Sequence, residues 1–233
     1  MKNKVITYTF RLPDNRVETF RLEIEGQSLE LAAEKPEQLP EWSELEFSKC
    51  DHCTLDPAVE KFCPLSANIA LVVQRFNHIL SFDELELEVL TDERFITQKT
   101  TAQRALSSFM GLVMATSGCP FTAYFKPMAR FHLPLASEEE TIYRSVSMYL
   151  LAQYFHFRED GTADFDLQGL EKIYQDLLKV NLFIVKRLKA ASKADSSVNA
   201  ILILDMYARA MPYVIEESLE ELRYLFLPYF AKG

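Results

Sequence analysis

The chain has 233 residues, of which 48% are hydrophobic and 12% aromatic, so it is long enough to form a buried core. This composition excludes an intrinsically disordered chain. The formal net charge of −9 opposes binding to nucleic acid or to an anionic membrane surface, because both are polyanions.

The hydropathy pattern favours a cytoplasmic protein. The N-terminus MKNKVITYTFRLPDNR turns polar after a few residues, unlike a secretory signal. The most apolar later run, VNAILILDMYARAMPYVI, is interrupted by Asp205 and Arg209, so it falls short of the roughly 18 uncharged residues that a membrane span needs. In a reducing cytoplasm, clustered cysteines are more often metal ligands or redox groups than disulfides.

The N-terminal part has the alternation of β-strands. Apolar and polar residues alternate from Ile6 to Leu12 and again from Phe20 to Ile24, and the sequence PDNR between them predicts the turn of a hairpin. We also predict a short strand in SELEFSKC, which leads directly to Cys50. The run DELELEVL alternates in the same way and predicts another strand.

Two predicted helices have a cysteine at one end. Pro64 suits the first position of a helix, where its missing N–H costs nothing, so Cys63 immediately precedes that helix. A second helix is predicted from Thr100 or Thr101 to Gly118, one residue before Cys119.

The second half of the chain is predicted to be helical. Ser137 and Glu140 form the pattern of a capping box, which predicts the start of a long helix. A later apolar stripe is interrupted by Asn181, which either fixes the register of a helix pair or occupies a partly exposed position. The stripe consists of Leu167, Leu170, Tyr174, Leu177, Asn181, Ile184 and Leu188.

The cysteines have the spacing C-x2-C-x9-C-x55-C and are Cys50, Cys53, Cys63 and Cys119. The first pair has the knuckle spacing in which two thiolates reach one ion, and four thiolates satisfy the tetrahedral preference of zinc. The other two spacings match no standard zinc site, so the prediction depends on the fold bringing two helix ends to the knuckle. We predict that these four residues bind a structural zinc ion.

Two alternatives remain open at this stage. The cysteines are ligands of an iron–sulfur cluster or form a thiol redox pair, or they are small buried hydrophobic residues without a metal. In the redox alternative, Arg130 and His132 would lie near the centre, with His132 as a general base or as a further ligand. His52, inside the knuckle, is expected to point towards solvent.

Several short motifs together, namely CDHC, FCP, TSGCP, ARFHLPL and MYLLAQYF, resemble those of a group of uncharacterised bacterial proteins over about residues 50–155. The resemblance implies a bacterial origin and carries over no functional residue.

The sequence therefore predicts an α+β protein, with a β-rich portion and cysteine knuckle at residues 1–98 and a helical bundle at residues 99–233, or one continuous domain. A closed shell of four thiolates leaves no open position for a water nucleophile, which disfavours zinc hydrolysis. We expect a binding or regulatory module whose partner is a protein or a small molecule, and no residue is assigned as catalytic. No phosphate-binding loop, zinc-protease motif or dinucleotide fingerprint is present.

Overall fold

The structure is a computed structural model that describes residues 2–32, 34–191 and 194–230, without the side chains of residues 212–218. In this part of the chain, an antiparallel five-stranded sheet with the order β3-β2-β1-β4-β5 precedes a helical region, which confirms the α+β class. The strands are β1 (Lys4–Arg11), β2 (Val17–Ile24), β3 (Leu31–Ala32), β4 (Glu84–Leu90) and β5 (Phe95–Thr101). The helices are α1 (Pro64–Arg75), α2 (Ala102–Thr116), α3 (Lys126–Arg130), α4 (Glu138–Asp160), α5 (Gln168–Ala191), α6 (Ser196–Glu221) and α7 (Leu227–Phe230).

The predicted hairpin is confirmed. In β1 and β2 every second side chain is buried, and the register pairs Ile6 with Leu22 and Tyr8 with Phe20 on the same face. The turn closes through the amide of Leu12, which donates to the carbonyl of Arg16 at 2.9 Å. The buried face of the sheet thus follows directly from the period of two in the sequence.

The prediction of a strand in SELEFSKC is wrong. Glu41–Ser43 forms a 3₁₀ turn, and the only pairing in this stretch of the described chain is an isolated bridge between Glu44 and Phe62. The carbonyls of Glu44 and Leu45 accept instead from the side chain of Arg187, at 2.6 and 3.0 Å. A side-chain donor therefore takes the place of a neighbouring strand.

Strand β5 was not predicted from the sequence. It pairs with the predicted strand β4 along its whole length, from Leu90 opposite Phe95 to Glu84 opposite Thr101. It is an edge strand with mostly exposed side chains, so its sequence FITQKTT shows little alternation.

The main hydrophobic core joins the sheet to the helices. Helices α1 and α2 supply buried residues against the strands, and α5 and α6 add further residues to the same cluster. At its centre, aromatic rings from the sheet, α1 and α2 lie with centroids 4.9 to 6.2 Å apart. These rings belong to Tyr8, Phe10, Phe20, Phe76 and Phe109. The proposed division after residue 98 falls inside β5, and it stays a prediction.

The helical predictions are largely confirmed. Both bonds of the capping box are present, since Ser137 N donates to Glu140 Oε2 at 2.7 Å and Glu140 N donates to Ser137 Oγ at 3.1 Å. The predicted stripe is buried except at Leu177, which is half-buried. Asn181 is fully buried within it, so of the two alternatives for that residue the partly exposed position is wrong. Across the described residues, no helix has the length and apolar character that crossing a membrane requires.

Two helical glycines should respond in opposite ways to replacement by alanine. A Cβ on Gly169 would clash with the hydroxyl of Tyr149, which donates to Asp164 at 2.8 Å, so the hydroxyl must move and that hydrogen bond is strained. A Cβ on Gly111 would meet Leu204 at 3.5 Å, an ordinary contact. We expect Gly169→Ala to lower the free energy of unfolding by about 1 kcal/mol or more. Gly111→Ala should raise it by up to about 1 kcal/mol, because alanine has the higher helix propensity.

Urea denaturation of both variants measures the difference. If Gly169→Ala is as stable as Gly111→Ala relative to the original protein, the hydroxyl of Tyr149 does not fill the space above Gly169.

Candidate functional site

The segment that carries Cys50 and Cys53 is closed at its base. Cys63 N donates to the carbonyl of Ser43 at 2.9 Å, and Leu45 N donates to the carbonyl of Lys61 at 2.8 Å. At the knuckle itself, Cys53 N donates to the carbonyl of Cys50 at 2.9 Å, which is the tight turn that the C-x2-C spacing predicts. The knuckle therefore returns the chain to the start of α1.

The other two cysteines lie at adjacent helix ends. Cys63 is the N-cap of α1, and Cys119 follows the end of α2 after Gly118, whose φ is 90°. The side chain of Asn68 ties these ends together, because Nδ2 donates to the carbonyl of Pro64 at 2.8 Å and to that of Ser117 at 3.2 Å. The predicted helix ends are thus confirmed.

The ring of His52 connects the knuckle to the chain after Cys119. It packs on Phe121 with ring centroids 4.1 Å apart, so it does not point freely into solvent as expected. Burial lowers the pKa of His52. His52 lies between Cys50 and Cys53, and Phe121 lies two residues after Cys119. Their contact therefore places the knuckle beside the end of α2.

The four thiols form one group, which we call the cysteine cluster (Cys50, Cys53, Cys63 and Cys119). All four are free and half-buried. Burial raises the pKa of Cys50 to about 12, and the thiols of Cys63, Cys119 and Cys53 add to the rise. Burial likewise raises the pKa of Cys119.

The four cysteines lie on neighbouring segments, but their side chains are not arranged as the ligands of one metal ion. Zinc–sulfur bonds are about 2.3 Å long, so four ligands to one ion must nearly touch one another. Within residues 2–32, 34–191 and 194–230, no three or more His, Cys, Asp or Glu side chains are arranged to hold a metal ion. The contacts of Ser43, Asn68 and His52 bring the cysteine-bearing segments together, whereas coordination of one ion would require the side chains of the cysteines to turn.

Arg187 of α5 lies beside the cysteine cluster, and sequence reasoning missed it. Its exposure is only 1%, and Nη1 donates to the carbonyls of Trp42 and Glu44 at 2.7 and 2.6 Å, while Nη2 donates to that of Leu45 at 3.0 Å. Burial lowers the pKa of Arg187, and nearby cysteines, Cys63 foremost, oppose this effect. The available signal was its position three residues after Ile184, on the edge of the buried stripe.

His132 lies beside the middle of α2 rather than beside its end. Its Nε2 shares a hydrogen bond with the hydroxyl of Tyr8, which also lies 3.1 Å from Oγ of Ser108. Ser108 precedes Thr116, the last residue of α2, by eight residues, which corresponds to about 12 Å along the helix. The contact of His132 with Tyr8 therefore places it between the sheet and α2, where it is half-buried, and Arg130 is the last residue of α3.

The comparison with known proteins identifies a family without assigning a role to any residue. Residues 6–227 match a family described as a domain of unknown function, DUF6901. The chain belongs to the DUF6901 family. The match includes the sheet, the cysteine cluster and helices α1 to α6, and it agrees with the resemblance to uncharacterised proteins, whereas a bacterial origin stays a prediction. No curated protein and no solved structure gives a significant match.

Replacement of Arg187 should destabilise this DUF6901 protein strongly. Arg187→Met leaves three buried carbonyls without their donor, so we expect the free energy of unfolding to fall by at least about 3 kcal/mol in urea denaturation. Arg187→Lys should recover less than half of this, because one ammonium group cannot reproduce the fork of the guanidinium.

The neighbouring residue offers a matched control. Lys186 is exposed and lies over the ring of Phe183 at 4.2 Å, so Lys186→Met removes the same charge from the same helix at a cost of less than about 1 kcal/mol. Equal effects of the two methionine variants would show that the carbonyl contacts of Arg187 contribute nothing.

Acid should weaken the fold through His132. Burial, and then the charges of Arg144 and Lys4, lower the pKa of His132 to about 3, whereas the unfolded chain has its usual value near 6.5. Between these two values the unfolded state binds the proton and the folded state does not. Stability is therefore highest above pH 6.5, and it falls as the pH is lowered, by up to about 1.4 kcal/mol per pH unit.

Urea denaturation at pH 7.5 and pH 5.0 measures this contribution. His132→Asn does not titrate, so its stability should fall less between the two pH values than that of the original protein. Equal losses in both proteins would show that His132 is protonated in the folded state as readily as in the unfolded one.

Proposed function

We propose that the protein is a binding module in which the cysteine cluster holds one structural zinc ion. The observation that carries the proposal is the set of contacts that join the three cysteine-bearing segments. Asn68 joins the start of α1 to the end of α2, Cys63 N donates to the carbonyl of Ser43 at the base of the knuckle, and His52 packs on Phe121. Four thiols from three separated segments at one place match the ligand set of a closed zinc site.

The charge next to the cluster supports the proposal. Zinc with four thiolates carries a net charge of −2, and burying such a charge without a counter-charge is unfavourable. The guanidinium of Arg187 lies beside the thiols, and three carbonyls fix its position. It would offset part of that charge.

The residues present fit zinc in type and number, and they need to adjust in geometry. A change of χ1 rotamer moves a cysteine sulfur while the backbone stays in place. The backbone here is held by the contacts at Ser43, Asn68 and the knuckle turn, so the adjustment falls on the side chains. When bound, the ion would supply a tetrahedral crosslink between the knuckle and the two helix ends.

Such a site is structural, so the module would act by binding a partner. A closed shell leaves no position for a water nucleophile, and therefore the proposal does not include zinc-dependent hydrolysis.

Metal analysis of the full chain tests the proposal. We expect one zinc per chain and no visible absorption in protein purified without oxygen and without a metal-binding affinity tag. Cys119→Ser should lose most of the zinc. A folded, metal-free protein would contradict the proposal, and iron with inorganic sulfide would favour the alternative of a redox protein.

Ser117→Ala is the matched control for Cys119→Ser. Oγ of Ser117 accepts from Cys119 N at 3.2 Å and donates to the carbonyl of Met114 at 2.9 Å, so this variant disturbs the same turn without removing a thiol. It should keep its zinc. Equal loss of zinc in both variants would show that zinc binding depends on the conformation of the turn and not on the sulfur of Cys119.

A further inference from the structure

A cavity of about 190 Å³ lies among helices α2 to α6, apart from the cysteine cluster. One water needs roughly 10 to 15 Å³ by this measure, so the cavity has room for a molecule of on the order of 15 non-hydrogen atoms. Its wall is mainly apolar. The apolar side chains include Leu112, Met114, Phe125, Leu133, Leu177 and Leu204.

The ionisable residues of the wall that carry charge near neutral pH are all basic. Arg104 and Arg144 contribute to the wall together with His132, and none of the described residues that line it is an aspartate or a glutamate. This is unexpected in a chain with a net charge of −9. Neither arginine forms a salt bridge with a carboxylate in the described part of the chain.

Both guanidinium groups reach carbonyls of α3 or of the segment between α3 and α4. Nη2 of Arg144 donates to the carbonyls of Met128 and Phe131 at 2.9 and 3.0 Å, and Nη2 of Arg104 lies 3.5 Å from the carbonyl of Leu135. Two positive charges thus flank one region of the cavity. Burial lowers the pKa of Arg144 and Glu140, one turn before it, opposes this effect electrostatically, but no carboxylate of the described residues forms a salt bridge with either guanidinium. An anionic group of a ligand would complement them.

Asn181 contributes a second polar position to the wall. The residue is 0% exposed, and neither Nδ2 nor Oδ1 has a hydrogen-bond partner in the described residues. A buried amide without partners is unfavourable, and such groups in native structures call for an explanation. A hydroxyl or carbonyl group of a ligand would satisfy it.

The two polar positions are separated along α5. Tyr174 donates to Oγ of Ser145, the neighbour of Arg144, at 2.8 Å. Asn181 follows Tyr174 by seven residues, which is about 10 Å along the helix. A ligand that reaches both positions needs two polar ends and an apolar middle of about that length.

We propose that the cavity binds an amphipathic monocarboxylate, with its carboxylate at Arg144 and Arg104, its apolar chain among the helices and a distal hydroxyl or carbonyl at Asn181. The proposal is independent of the zinc proposal, because none of these residues belongs to the cysteine cluster.

Three probes of equal chain length separate the parts of this proposal in isothermal titration calorimetry of the full chain. We expect 10-hydroxydecanoate to bind with 1:1 stoichiometry. Decanoate, which lacks the distal hydroxyl, should bind about 10-fold more weakly, and 1,10-decanediol, which lacks the carboxylate, should bind at least 10-fold more weakly. The proposal is overturned if 10-hydroxydecanoate shows no saturable binding or if the diol binds equally well.

Variants of the arginines test the position of the carboxylate. Arg144→Gln should weaken 10-hydroxydecanoate at least 10-fold, and Arg158→Gln, an exposed residue of the same helix outside the cavity wall, should leave its affinity unchanged. Arg144 also donates hydrogen bonds to the α3–α4 segment, so its replacement can affect folding. Arg104→Gln is therefore the second variant, because Arg104 is exposed. The proposal is overturned if Arg104→Gln binds 10-hydroxydecanoate with unchanged affinity and Arg144→Gln either does the same or fails to fold.

Asn181→Leu tests the distal position with a readout that a structural role would not give. The variant should abolish the 10-fold advantage of 10-hydroxydecanoate over decanoate, and it should raise the melting temperature of the ligand-free protein, because the unpaired amide is gone. Persistence of the hydroxyl advantage in Asn181→Leu overturns the assignment of the distal group.

Discussion

The hydrogen bonds of Arg187 hold together the part of the molecule on which the candidate zinc site depends. Three carbonyls between residues 42 and 45 have no strand partner at that point, and the guanidinium of Arg187 supplies the donors instead. Removing a guanidinium from water costs desolvation free energy, and these three hydrogen bonds offset part of that cost. The knuckle that follows therefore has a fixed base, although it contains almost no regular secondary structure.

Helix α5 connects the two sites that we propose. Arg187 lies beside the cysteine cluster. Asn181 lines the cavity and precedes Arg187 by six residues, or about 9 Å along the helix. The two residues are both buried polar groups, but their states differ. Arg187 donates to three carbonyls, whereas the amide of Asn181 has no partner among the described residues. The fold thus pairs both terminal nitrogens of Arg187, although its Nε, like the amide of Asn181, has no partner among the described residues.

The sequence predicted the elements whose signals are local. The alternation in β1, β2 and β4, the capping box at Ser137 and Glu140, and the Cys63–Pro64 and Gly118–Cys119 helix ends all depend on a few adjacent residues. Convergence of the four cysteines was predicted on the condition that the fold brings the two helix ends to the knuckle. Asn68 joins the two helix ends, and the four-cysteine site stays a prediction.

The errors and omissions concern features that depend on distant partners. Leu45 and Phe47 have the spacing of a strand, but the bonds from Arg187, more than 140 residues away, decide the local structure. Strand β5 depends on pairing with β4 rather than on its own pattern. Whether Asn181 is buried, and whether it faces a cavity, depends on how five helices pack, which no local pattern records.

The contact between Arg187 and residues 42–45 also has a consequence for the order in which the protein folds. Residues separated by 142 to 145 positions meet there, so the loop between them must close before the bonds form. During synthesis the three cysteines of the knuckle segment leave the ribosome long before α5 exists. The carbonyls at the base of the knuckle then remain hydrated until the C-terminal half docks. The base of the knuckle is therefore completed only after α5 has been synthesised, even though all four cysteines precede α5 in the chain.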